Sequence, residues 1–128
     1  MIYLDSSVAL AQLFAEDQSA PEILGQASLI SSRLLEYEVW NRIHARGFTK
    51  SHADEARALI ERVTLMDLTP PVLNRALVPL PIPVRTLDAL HLATAVYLCE
   101  RGDVVELASF DRRLLAAARA LKVPLFQL

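Results

Sequence analysis

Four acidic residues of this chain lie in stretches that are otherwise rich in apolar side chains: Asp5, Glu38, Asp88 and Asp111. Carboxylates that converge on one site repel one another, and each raises the pKa of its neighbours unless a positive charge lies between them. A divalent cation is the natural counterion, and all-oxygen ligands favour Mg²⁺ or Mn²⁺ over Zn²⁺. Because Mg²⁺ held by few carboxylates and several waters polarises phosphates, these residues predict hydrolysis of a phosphodiester.

Each of these acids also has a simpler interpretation as a helix cap. Aspartate is favoured near helix N-termini, where it accepts hydrogen bonds from free N–H groups and interacts well with the helix dipole. Asp111 fits this interpretation, whereas Asp88 fits it less well because Thr86 can cap the same helix. Glu38 does not fit it, since it shares a helix turn with large apolar residues. A carboxylate there is partly desolvated and requires a cation.

Strand and helix patterns alternate along the chain and supply the positions of these acids. The predicted strands cover residues 2–4, 29–31, 64–68, 104–109 and 124–126. The predicted helices cover residues 6–15, a short segment from Pro21, 33–46, 49 or 51 to 63, 70–78, 86–101 and 111–121. This order predicts an α/β fold of three layers, α/β/α, with a central parallel sheet of four to five short strands. Ligands of such sheets bind beyond the carboxyl ends of the strands, where acids of this chain lie.

Length and composition narrow the class of protein. At 128 residues, 53% of them hydrophobic, the chain is expected to form one globular domain, residues 1–128. The net charge of −2 argues against a generic surface for polyanions, although local charge or a metal still attracts nucleic acid. The single Cys99 cannot form an internal disulfide, and no apolar run approaches the ~18 residues of a membrane span. We therefore expect a cytoplasmic protein with no membrane partner and no targeting segment.

The order and context of the four acids resemble those of the PIN-domain ribonucleases, and most closely the VapC toxins of toxin–antitoxin pairs. The resemblance covers nearly the whole chain. The matching motifs are MIYLDSSVAL around Asp5, ISSRLLEYEVWNR around Glu38, RTLDALHLATA around Asp88 and ASFDRRLLAAA around Asp111. Each motif alone is weak, but four in this order are specific.

The choice of Glu38 over Glu36 rests on the resemblance. Two residues apart on a helix correspond to about 200° of rotation, so only one of these side chains can face a common pocket. Periodicity does not choose between them, because Glu36 lies at least as close to the apolar stripe. The spacing from the serine pair at residues 31 and 32 matches Glu38 to the family acid.

The resemblance implies a metal-dependent endoribonuclease that cuts single-stranded or looped RNA. Asp5 and Asp88 are then expected to bind Mg²⁺, with Mn²⁺ as the alternative ion, and Glu38 and Asp111 to complete the pocket directly or through water. In-line attack by water would leave a 5′-phosphate and a 3′-hydroxyl. The resemblance also implies a homodimer that a cognate antitoxin protein inhibits by blocking the acids.

Three nearby polar residues are left outside the predicted catalytic set. His91 lies one turn after Asp88 among apolar residues, and we interpret it as a packed, hydrogen-bonded core histidine. A water activated by a metal needs no histidine base. Ser6 and Ser109 either hold waters on the metal or cap helices.

Two other functions fit parts of the sequence. The first is a catalytically inactive PIN-like module that binds protein or RNA, but such a module does not need four mutually repelling carboxylates. The second is a phosphate-accepting receiver domain, which requires paired acids after its first strand and a lysine after its last. This chain has a lone Asp5 there, and Lys122 precedes the last predicted strand.

Overall fold

The computed structural model describes residues 1–14 and 22–128, and four short parallel strands form the sheet of this described part. The strands are β1 (Ile2–Leu4), β2 (Leu29–Ser32), β3 (Val63–Met66) and β4 (Glu106–Ala108). The helices are α1 (Ser6–Phe14), α2 (Leu34–Ala45), α3 (Ala53–Glu61), α4 (Pro70–Ala76), α5 (Thr86–Glu100) and α6 (Arg112–Ala120), with a 3₁₀ turn at Glu22–Gly25. None of the helices described is long and apolar enough to span a bilayer.

β1 lies in the middle of the sheet, whose order is β3-β2-β1-β4. Tyr3 of β1 is opposite Ile30 of β2 on one side and Leu107 of β4 on the other. All three strand pairs are parallel, so the carboxyl ends of β1, β2 and β4 meet at one edge. The segments that carry Asp5, Glu38 and Asp111 begin at this edge.

Alternate side chains of β1 point to opposite faces of the sheet and contact two separate layers of helices. Ile2 and Leu4 join an apolar cluster with α1, α2 and α3. Tyr3 joins a second cluster with α5 and α6. Both faces are covered, which confirms the predicted three-layer α/β/α fold with a parallel sheet.

Two helices end where the sequence predicts, at Gly47 and Gly102. Both glycines have positive φ angles, +72° and +98°, a region that residues with a Cβ atom rarely adopt. Beyond Gly102, the amide of Asp103 donates to the carbonyl of Leu98 at 3.0 Å and closes the last turn of α5. The chain then turns back towards β4.

Some predicted elements differ from the structure. Thr86 is the first residue of α5 and not its cap, because the extended backbone continues through Arg85. The predicted strand at 124–126 is reduced to a single bridge between Leu125 and Leu107. The helix predicted from residue 49 or 51 begins at Ala53. The predicted helix start at Pro21 lies outside the described residues, as does the predicted end of the first helix.

Candidate active site

A cavity of about 510 Å³ opens at the carboxyl edge of the sheet. All four acids singled out in the sequence line it, together with two arginines that carry the opposite charge. Its lining residues are Asp5, Ser6, Ser7, Leu10, Glu38, Arg42, Arg85, Thr86, Leu87, Asp88, Phe110 and Asp111. The fold therefore brings together side chains that are up to 106 residues apart in the chain, at positions 5 and 111.

Asp5 is the most deeply buried of the four acids, with 2% of its surface exposed. Its Oδ2 atom accepts hydrogen bonds from the hydroxyls of Ser7 at 2.6 Å and Ser109 at 2.8 Å. Its Oδ1 atom is buried and has no hydrogen-bond partner among the described residues. A buried carboxylate oxygen without a donor is costly, so this atom is suited to bind a cation.

Two serines connect the end of β1 to the end of β4. The Ser7 hydroxyl accepts a hydrogen bond from the Phe110 amide at 3.0 Å, and the Ser109 hydroxyl accepts one from the Asp111 amide at 2.9 Å. Ser109 therefore orients Asp5 directly and does not cap α6. The sequence did not single out Ser7, whose role depends on contacts more than 100 residues away.

Asp111 combines the two roles that the sequence left open. Its Oδ1 atom accepts hydrogen bonds from the amides of Arg113 at 3.0 Å and Leu114 at 3.2 Å, so it caps α6. The same side chain lines the cavity. Capping fixes the side chain and thereby holds its negative charge at the cavity wall.

Glu38 faces the cavity from the second turn of α2. α2 follows β2 after a single residue. The Leu34 amide at the start of α2 donates a hydrogen bond to the Ser32 hydroxyl at 3.1 Å. The Oε2 atom of Glu38 accepts a hydrogen bond from the Ser6 hydroxyl at 3.0 Å, and Oε1 is bonded to Nε2 of His91. Ser6 therefore holds Glu38 in the described structure.

Glu36 lies on another side of α2. It forms an ion pair with Arg33 at 3.4 Å and lines a second cavity beside Trp40. The structure thus brings Glu38, and not Glu36, together with the other acids.

His91 is fully buried, as expected of a core histidine, but its contact with Glu38 was not predicted. Its Nδ1 atom lies 2.8 Å from the Tyr3 hydroxyl. Burial alone lowers the pKa of His91, but the hydrogen bond to Glu38 and the nearby negative charges together raise that pKa above its ordinary value. The ring is therefore part of the electrostatics of the acidic site although it does not line the cavity.

Asp88 is the third residue of α5 and is partly exposed to the cavity. Burial raises its pKa, and the negative charges of Asp5 and Asp111 raise it further. Arg85 opposes this effect from 3.9 Å, but its side chain is 89% exposed and its charge is screened by water. The acids therefore act on one another electrostatically, which is the behaviour that a divalent ion would relieve.

The donor set fits a small divalent cation. The free Oδ1 atom of Asp5 and the destabilised charge of Asp88 face the same cavity. Across the described ranges 1–14 and 22–128, no three His, Cys, Asp or Glu side chains form a group that could hold a metal on their own. Mg²⁺ needs no such group, because one or two carboxylates and several waters commonly complete its shell.

The PIN domain family matches residues 2–120, and the chain belongs to this family. Two relatives from Mycobacterium tuberculosis are similar to it over most of their length. "Ribonuclease VapC47" (strain CDC 1551 / Oshkosh) is 29% identical over 126 residues, which cover 93% of this chain and 90% of that protein. "Ribonuclease VapC46" (strain ATCC 25618 / H37Rv) is 32% identical over 123 residues, covering 94% and 92%. The resemblance inferred from the four motifs is confirmed.

The raised pKa of Asp88 predicts the stability of the metal-free protein. The folded protein holds this proton more tightly than the unfolded chain, so stability falls as pH rises from the ordinary aspartate range, about 4, through the raised pKa. At neutral pH the ionised side chain is destabilising. In EDTA, Asp88→Asn should therefore raise the free energy of unfolding by about 0.5–2 kcal/mol, and with it the melting temperature. Thermal melts of the wild type and of Asp88→Asn at about pH 5 and about pH 8 measure both the fall of wild-type stability with pH and the gain from the substitution.

Mg²⁺ should raise the melting temperature of the wild type more than that of Asp88→Asn, because a ligand that binds only the folded state stabilises it. Asp54→Asn is the matched control. Asp54 also lies in the first turn of a helix, α3, but it is exposed and does not line the cavity. An Asp88→Asn protein that is less stable in EDTA, with an unchanged Mg²⁺ shift, would mean that Asp88 acts only on the helix dipole.

Proposed function

We propose that this protein is a metal-dependent endoribonuclease, the toxin of a type II toxin–antitoxin system, which hydrolyses RNA phosphodiester bonds with Mg²⁺ or Mn²⁺. One observation carries the proposal: four carboxylates from separate parts of the chain line one cavity in a PIN domain. Two relatives of similar length are named ribonucleases, which supports RNA as the substrate. The proposed catalytic residues are Asp5, Glu38, Asp88 and Asp111.

The proposed mechanism assigns a separate task to each carboxylate. Asp5 and Asp88 would hold the ion, with Oδ1 of Asp5 as the atom that is free to do so. When bound, Mg²⁺ supplies a lowered pKa for water and a positive charge opposite the phosphate. Glu38 and Asp111 would complete the pocket directly or through water, and each is fixed by hydrogen bonds of its own. In-line attack then leaves a 5′-phosphate and a 3′-hydroxyl.

Arg42 and Arg85 are proposed to contact phosphates next to the one that is cut. Both line the cavity and both are exposed. RNA that approaches four carboxylates is repelled, and the guanidinium groups offset this repulsion locally. An arginine fork donates two parallel hydrogen bonds to a phosphate. The overall charge of −2 conceals this local arrangement.

The remaining parts of the proposal rest on the family. We propose that residues 1–128 act as one domain in the cytoplasm, as a homodimer, with a cognate antitoxin protein that blocks the acids. The alternative, an inactive PIN-like module, is less well supported. Such a module would bury Asp5 with an unsatisfied oxygen and gain nothing from it.

Asp5→Asn should abolish RNA cleavage and relieve the growth arrest caused by expression. The substitution keeps the shape of the side chain but removes the charge that would bind the ion. Cleavage of an RNA mixture by the wild type should require Mg²⁺ and stop with EDTA, and Asp54→Asn should cut normally. Near-wild-type cleavage by a folded Asp5→Asn protein at low Mg²⁺ would refute the assignment of Asp5. A wild type that cuts no RNA with either ion would favour the inactive module.

Glu38→Gln should reduce the cleavage rate strongly, whereas Glu36→Gln should not. The two substitutions are chemically identical and lie on the same helix, but only Glu38 lines the acidic cavity. Initial rates at saturating Mg²⁺ compare them directly. A crippled Glu36→Gln beside an active Glu38→Gln would reverse the assignment.

Arg42→Gln should weaken RNA binding with little effect on the rate at saturating RNA. Loss of one phosphate contact should reduce the slope of log affinity against log salt by about 0.7 for single-stranded RNA. Binding is measured by fluorescence anisotropy in an Asp5→Asn background, which does not cut the probe. Arg57→Gln is the control, because Arg57 is exposed and paired with Asp54 outside the cavity. An unchanged salt slope for Arg42→Gln would exclude a phosphate contact.

A further inference from the structure

The His91 ring is buried between two partners, and both of its nitrogen atoms are used. Nε2 is bonded to Oε1 of Glu38, and Nδ1 lies 2.8 Å from the hydroxyl of Tyr3. The Tyr3 and His91 rings meet edge to face with their centres 5.9 Å apart. Neither ring is exposed at all, so His91 cannot touch RNA or a water in the cavity. The carboxylate of the site that His91 contacts directly is Glu38.

The partners determine which nitrogen carries the proton. Burial raises the pKa of the Tyr3 hydroxyl well above its ordinary value, so this hydroxyl keeps its proton. The Glu38 carboxylate can only accept a hydrogen bond from the ring, which leaves Nδ1 to accept one from Tyr3. With Nδ1 as acceptor, the proton of the neutral ring lies on Nε2 and points at Glu38. In the doubly protonated ring, Nε2 carries a proton as well. The bond to Glu38 is therefore retained in both charge states.

Two donors hold the Glu38 carboxylate, one on each oxygen. Ser6, at the start of α1, donates to Oε2, and His91, on α5, donates to Oε1. Arg42 lies four residues after Glu38 on the same helix and is exposed, so it is a competing partner at i,i+4. Without His91, the carboxylate would be free to rotate towards Arg42 and away from its place between the other acids.

We propose that His91 is a positioning residue, which Tyr3 holds in one tautomer so that its Nε2–H fixes the Glu38 carboxylate in the acidic cavity. The proposal rests on the proposed nuclease function of that cavity. It assigns a role to a buried residue that neither binds the ion nor reaches the substrate. Residues that hydrogen-bond to the side chains of a metal site, without binding the metal themselves, typically contribute about 10–100-fold to metal affinity or activity.

The test compares His91→Leu with His91→Gln. Leucine fills much of the space but donates no hydrogen bond, whereas the amide nitrogen of glutamine lies near the position of Nε2 and can donate to Glu38. His91→Leu should lower kcat by about 10–100-fold with little change in KM for RNA, and His91→Gln should recover most of this loss. A folded His91→Leu protein with kcat within about twofold of the wild type would refute the proposal. A folded His91→Gln protein whose kcat is no higher than that of His91→Leu would also refute it.

A second measurement does not depend on cleavage. Nitrogen NMR of ¹⁵N-histidine-labelled, metal-free protein, recorded at a pH where the ring is neutral, reports the tautomer, which should be Nε2–H in the wild type. Tyr3→Phe keeps the ring packing but leaves the buried Nδ1 without a partner, and should lower kcat. A folded Tyr3→Phe protein with unchanged kcat would contradict the role of Tyr3. This variant tests the proposal even where His91 substitutions unfold the protein. A wild-type ring protonated only on Nδ1 would overturn the proposal. Absence of RNA cleavage by the wild type would instead refute the proposed function, and the NMR result would still decide the hydrogen bond.

Discussion

The burial of one carboxylate, Asp5, is the constraint on which the rest of the structure depends. A carboxylate that is 2% exposed destabilises a protein unless its oxygens accept hydrogen bonds or bind a cation. Ser7 and Ser109 satisfy Oδ2, and Ser109 reaches it only because β1 and β4 are parallel neighbours in register. The sheet order therefore serves the site: β1 is central, so a single residue at its end meets the chain that leaves β4.

The surrounding negative charges make the acidic site unfavourable on its own, and a bound cation would offset their repulsion. Burial and the neighbouring carboxylates raise the pKa of Asp88, so keeping these charges close lowers the stability of the folded protein when Asp88 is ionised. Hydrogen bonds hold Asp5, Glu38 and Asp111 in place, so repulsion cannot simply push them apart. Rigid acids at a fixed separation are prepared for an ion and need little rearrangement when it binds. Stability without the ion is the property that such a site gives up.

Local patterns allowed the fold class and the four strands of the sheet to be predicted, because these depend on alternation and turn residues. The choice of the four acids also needed the resemblance to a family. The side of α2 that faces the cavity could not be predicted in this way. Its buried stripe is formed by Leu35, Val39 and Ile43, and acids flank that stripe on both sides. Glu38 is distinguished from Glu36 by its hydrogen bonds to Ser6 and His91, which are distant from it in the chain. The pairing of His91 with Glu38 was missed for the same reason, as 53 residues separate them.

Synthesis on the ribosome runs from β1 to β4, so the two strands whose ends build the site are made at opposite ends of the process. Ser109 follows Asp5 by 104 residues, and Asp111 comes later still. A growing chain that lacks this segment has no Asp111 at the cavity and lacks one of the two hydroxyls that orient Asp5, since only Ser7 is then present. Pairing between such distant strands also slows folding. The acidic site is therefore incomplete in the nascent chain until the segment after β4 has been made.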